Sequence, residues 1–94
     1  MRIIGYIEHP ILKISVFKME HKFSVKFESG FAEQIYKFRQ DEYIQHLKDI
    51  QKLIDAPFIQ KVETILESMH EVQAALLKRH LPQNLDNELF EEII

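Results

Sequence analysis

Ninety-four residues, 46% apolar and 29% charged, suffice for one domain around one modest core and exclude a disordered or fibrous chain. There is no cysteine, which removes disulfide frameworks, thiolate metal sites and cysteine nucleophiles. The formal charge of −3 hides a polarity: residues 1–39 carry seven Lys/Arg against four Glu, and residues 40–94 carry five against eleven acids. Such a split either marks a surface for anionic partners or reflects lysine-rich strands followed by glutamate-rich solvated helices.

The N-terminal stretch "MRIIGYIEHPILK" has an early Arg, but Glu8, His9 and Pro10 break its apolar run short of a secretory core. No apolar run approaches the roughly 20 residues of a bilayer span. A cytoplasmic protein with no membrane association is the expectation.

The first 39 residues read as four short strands, in which alternate side chains face opposite sides. Ile3, Gly5 and Ile7 share one parity, and a turn at His9-Pro10 pairs Ile7 with Leu12, Gly5 with Ile14 and Ile3 with Val16. The next hairpin, closing around Glu20-His21, sets Val16 opposite Val25, Ile14 opposite Phe27 and Lys18 beside Phe23. The same register places Lys13 opposite Glu28 on the other face, so an apolar and a charged pattern agree. Glu-His is a poor two-residue turn because neither residue takes positive φ readily, which leaves a longer loop open. Ser29-Gly30 is a better turn signal. In the fourth strand Ala32, Tyr36 and Phe38 continue the buried face with Gln34 among them, and the opposite facing, with Phe31 and Ile35 inside, remains an alternative.

After Arg39 the period becomes helical. In "DEYIQHLKDIQKLID" the residues Tyr43, Leu47, Ile50 and Ile54 recur at three or four, with Asp41 as a candidate N-cap of a short amphipathic helix. Asp55-Ala56-Pro57 then starts a second helix, with Pro where its missing N–H is not needed. From Phe58 its stripe runs through Val62, Ile65, Leu66, Met69, Val72, Leu76 and Leu77. Lys78, Arg79 and His80 suit the negative end of its dipole, and Leu81-Pro82 stops it. The fold class is α+β: a four-stranded antiparallel β-meander followed by a short and a long α-helix packed on one face, ββββαα. Residues 1–82 are expected to form a single domain, and residues 83–94 a C-terminal amphipathic tail, either one or two further turns with Leu85, Leu89, Phe90 and Ile93 on one side or a segment ordered only by contact.

A helix over residues 57–80 is about 36 Å long, whereas a strand of seven or eight residues spans about 25 Å. The long helix must overhang the sheet, yet its apolar stripe continues to the last turn. Met69, Val72, Leu76 and Leu77 are therefore candidate oligomer-interface residues, covered either by the tail folding back or by a second copy. The latter, a homodimer, is the commoner solution.

The outer face of the sheet takes Arg2, Ile4, Tyr6 and Glu8; Ile11, Lys13, Ser15 and Phe17; Lys22, Ser24, Lys26 and Glu28; and Glu33, Ile35 and Lys37. Tyr6, Lys13, Phe17, Lys22 and Lys26 are candidate partner-binding or nucleic-acid-binding residues, since rings stack bases while lysines follow phosphates. A net negative charge and acids at Glu8, Glu28 and Glu33 argue against nucleic acid.

Glu67 and His70, at i and i+3, form half of the motif that di-metal bundles use in pairs, but there is one copy; His70 reads instead as a hydrogen-bonded boundary histidine. His46 and Asp49 share the same spacing. Gly5 and Gly30 are the only glycines, too few for a phosphate-cradling loop, and no serine stands in a spacing that suggests an activated Ser–His pair. The expectation is a small non-enzymatic interaction module that self-associates, without cofactor or metal. Single-stranded nucleic-acid binding through the outer sheet face is the alternative.

Overall fold

The computed structural model describes residues 1–81 and shows the ββββαα layout. Strands β1 (Arg2–Ile7), β2 (Lys13–Met19), β3 (Lys22–Ser29) and β4 (Ala32–Arg39) form one antiparallel sheet in the order β1-β2-β3-β4. Helices α1 (Leu47–Leu53) and α2 (Ala56–His80) follow. The expected tail, residues 83–94, lies outside the described residues.

The central hairpin has the register that its two patterns specify. Val16 faces Val25, Ile14 faces Phe27, Lys18 faces Phe23 and Lys13 faces Glu28. The ion pair, however, forms along the strand, between Lys26 and Glu28 at 3.3 Å. Met19 pairs with Lys22, so Glu20-His21 is a two-residue turn after all, with Glu20 held at φ 45°. The turn after β3 is shifted one residue from Ser29-Gly30: Ser29 pairs with Ala32, and Gly30 sits first in the turn at φ 60°, where the lack of a Cβ removes the strain.

The first hairpin departs from its expected register by two residues. Ile7 pairs with Ile14, Gly5 with Val16 and Ile3 with Phe17, with a β-bulge between Ile3 and Gly5. The cause lies in the connection. His9 Nδ1 accepts hydrogen bonds from the backbone N–H groups of both Ile11 and Leu12, which shapes a wider loop than a tight His-Pro turn and buries Leu12. The bulge then exchanges two side chains: Ile4 packs against the core instead of lying on the outer face, and Ile3 is exposed in the row of Phe17.

In β4 the facing with Ala32, Tyr36 and Phe38 inward is the one adopted, and Phe31 and Ile35 are exposed. Gln34 shares the inward face without being orphaned. Its Nε2 donates to the Val62 carbonyl of α2 at 3.0 Å and its Oε1 accepts from the Tyr36 hydroxyl, so a half-buried amide costs little here.

Helix α1 starts later than the apolar period suggests. Asp41 Oδ1 accepts from the N–H groups of Tyr43 and Ile44, an Asx-type turn in place of a helix cap, and Tyr43 is left exposed. The helix begins after His46, where Asp49 Oδ2 accepts from the backbone N–H groups of Gln45 and His46, both at 2.9 Å. Those bonds, first from Gln45 and then from His46, hold the Asp49 carboxyl below its ordinary range. Leu47 sits against Gly5: a Cβ at residue 5 would fall 2.5 Å from Leu47 Cδ2, so the absent side chain admits α1 to the sheet.

Asp55 caps α2, accepting from Phe58 N–H at 3.1 Å, as its sequence signature indicates. The core lies between sheet and helices, built from Ile14, Val16, Phe23, Val25 and Phe27 below and Ile50, Ile54, Val62 and Leu66 above. Phe58 of α2 completes an aromatic cluster with Tyr36 and Phe27, at centroid separations of 5.0 and 5.8 Å.

Candidate functional site

Two surfaces remain after the core is assembled. The first is the end of α2. Val62 and Leu66 are buried and Met69 is half-buried against the core, but every residue from Glu71 to His80 is exposed. The last ties to the sheet are His70 Nε2, donating to the Ser29 carbonyl at 2.8 Å, and Gln73 Nε2, donating to the Phe31 carbonyl at 3.1 Å. Past Gln73 the helix overhangs. Val72, Leu76 and Leu77 keep 68%, 47% and 56% of their surface exposed, on an exposed segment, residues 71–80, about 15 Å long. Of the four expected interface residues the structure thus groups three on one exposed segment, and Met69 is shared with the core. Phe31, 97% exposed, stands in the turn at the foot of the overhang.

The second surface is the outer face of the sheet. Its floor is made by Ser15 and Ser24, both buried because the larger side chains around them rise on either side. Phe17, Met19, Ile35, Lys26, Lys37, Glu33 and Met1 wall a trough of about 260 Å³ with Ser24 at its base. The five residues singled out in the sequence do not form one track. Tyr6 is exposed, in the cross-strand row of Ser15, Lys26 and Ile35. The Lys26 ammonium lies 5.5 Å from the Phe17 ring centroid, so cation and ring engage each other. Lys13 stands in the row of Glu28 and Glu33, while Lys22 stands in the row of Arg39, about 20 Å away along the strands.

The face is therefore graded, acidic at the Glu28–Glu33 end and basic at the Lys22–Arg39 end. Met1, Met19, Glu33, Ile35 and Lys37 are wall residues outside the five, although the sequence already puts Glu33, Ile35 and Lys37 on this face. Glu33, Ile35 and Lys37 join the group through the β3–β4 register and Met19 through the β2–β3 register.

His70 is committed to the Ser29 carbonyl, the boundary role its position suggests. His9 bridges to α2 through Glu63 at 3.5 Å. Among the described residues no group of three His, Asp or Glu is arranged to hold a metal ion, and no helix is long and apolar enough to cross a membrane. No known protein family matches the chain, and no curated protein or solved structure does.

Proposed function

We propose that this chain is a small non-enzymatic interaction module that self-associates as a homodimer through the free end of α2, working in the cytoplasm. The observation that carries the reading is the persistence of an apolar stripe on a helix segment that nothing in its own described chain covers. A solvated helix end has no use for Val72, Leu76 and Leu77. Spacings of three and four from Met69 through Val72 to Leu76 suit packing against another helix.

Burying a half-exposed side chain of this size contributes roughly 1 kcal/mol, half of the full transfer value. Six of them in a symmetric pair contribute on the order of 6 kcal/mol, comparable with the roughly 4–15 kcal/mol that association itself costs. The stripe alone makes a weak dimer. Sedimentation equilibrium across a wide concentration range tests the reading: the chain should approach twice its own mass as concentration rises, and Leu76→Glu should remain at the mass of one chain. An unchanged mass in the variant would refute it.

Single-stranded nucleic-acid binding by the outer face is the competing reading. Lys26 is engaged with Phe17 and Glu28, and Lys13 lies among acids, so the other cations of this face, Lys22, Lys37 and Arg39, gather at one end instead of tracking along it. A salt-sensitive mobility shift of a labelled oligonucleotide would revive it.

A further inference from the structure

We infer that the outer edge of β4 binds an extended segment of a partner protein as a fifth strand of the sheet, at a site separate from the α2 pairing and independent of it. β4 stands last in the strand order. Its two-residue turn closes on Ser29 and Ala32, and past its other end the Gln40 N–H donates to the His21 carbonyl at 2.8 Å. In an antiparallel ladder every second residue bonds a given neighbour, so Ala32, Gln34, Tyr36 and Phe38 direct their backbone groups to β3. The N–H and C=O groups of Glu33, Ile35, Lys37 and Arg39 point away from it, and they have no partner among the described residues.

The opposite edge shows how such a row is protected. β1 has six residues, a bulge between Ile3 and Gly5, and Gln51 Nε2 donating to its Tyr6 carbonyl at 3.1 Å. β4 has eight residues paired to β3 without a bulge. A long regular edge strand is a template for another strand.

Side chains specify which strand. Glu33, Ile35, Lys37 and Arg39 are exposed in one row on the outer face, and the three charges have no ion-pair partner among the described residues. Cross-strand neighbours of opposite charge are favoured and like charges are not. The incoming segment, antiparallel to β4, therefore carries at alternate positions an acid against Arg39, an acid against Lys37, an apolar residue against Ile35 and a base against Glu33. Its other face meets Ile65. Glu63 and Ile65 stand about 200° apart around α2; Glu63 turns to His9 of the β1–β2 loop, so Ile65 turns past β4, where it is exposed.

A second copy does not fit this edge. α2 rides over β4, with Gln34 Nε2 on the Val62 carbonyl and the Tyr36 ring against Phe58. Two β4 strands paired about a two-fold axis would bring two α2 helices about 5 Å apart, inside the roughly 8–10 Å that packed helix axes need. A bare strand brings no helix.

The test titrates the end-blocked peptide Glu-Thr-Glu-Thr-Ile-Val-Lys into the ¹⁵N-labelled full chain. The expected result is saturable shifts over residues 33–39, with slowed amide exchange at Glu33, Ile35, Lys37 and Arg39. The charge-reversed peptide Lys-Thr-Lys-Thr-Ile-Val-Glu should bind about tenfold more weakly, and Lys37→Glu should weaken the first peptide to a similar degree. Ile35→Pro removes one outward N–H at an edge position where proline is tolerated, and it should abolish binding while the rest of the spectrum persists. No shifts at millimolar peptide, equal binding of both peptides, or unchanged affinity in Lys37→Glu would overturn the inference. So would protection of those four amides without peptide: at every dilution it would mean that the chain covers its own edge, and growing with concentration it would place a second copy there. None of these outcomes bears on the sedimentation test of the α2 pairing.

Discussion

Helix α2 carries two halves of one apolar stripe into opposite surroundings. From Ala56 to His70 the stripe lies on the sheet except at Ile65, which the sequence places in it but which is 46% exposed: Val62 and Leu66 are at 1% and 2% exposure, and Phe58, Ile59 and Met69 flank them. From Glu71 to His80 the same spacing meets solvent. The first half is accounted for by the core of a single chain. The second is not, and that contrast separates residues that hold the fold from residues available for association. Substitutions in the two halves should act on different quantities: stability in the covered half, assembly in the free one.

The contrast is sharpest for leucine truncation. Leu66→Ala should lower the free energy of unfolding by about 2–5 kcal/mol, the range for emptying a packed site. Leu76→Ala, measured by urea denaturation in dilute solution where single chains dominate, should stay within about 0.5 kcal/mol of the parent. Comparable losses at both positions would mean that the overhang is covered within the chain. A smaller effect belongs to the start of the covered half. Asp55→Ala removes the acceptor of Phe58 N–H and should cost about 1 kcal/mol, with Asp55→Asn restoring most of it.

The smallest effect lies outside α2 altogether, at Asp49. Its folded-state pKa is depressed by the backbone N–H groups of Gln45 and His46, so its stabilising contribution is complete above the ordinary carboxylate range. It fades as pH falls below that range. Thermal melts of the parent and Asp49→Asn should differ modestly at neutral pH and converge in acid. A gap independent of pH would show that the charge on Asp49 does not contribute.

How much of this was written in the sequence depends on how many independent signals a residue pair carried. The β2–β3 register was legible because Val16 with Val25 and Lys13 with Glu28 specify the same alignment on opposite faces. The β1–β2 register was not, because one imidazole, His9, satisfies two loop N–H groups and a bulge turns Ile3 outward and Ile4 inward. Nothing in the alternation of "RIIGYI" announces either event. The start of α1 was obscured in a similar way: Asp41 has the identity of a helix cap but closes a local turn, and the actual stop-start comes from Asp49 reaching back. The overhang was legible from lengths alone, since 25 helical residues outrun strands of eight. The trough was only half legible. Phe17 and Lys26 stood out by type, but its base at Ser24 and its third wall, Ile35 and Lys37, come together only through strand pairing.

Amide hydrogen exchange of residues 71–80 as a function of protein concentration tests the central claim most directly. Coverage by a second copy predicts fast exchange at high dilution and growing protection as concentration rises, in step with the sedimentation mass. Protection that is full at every dilution, or absent at every concentration, would contradict it.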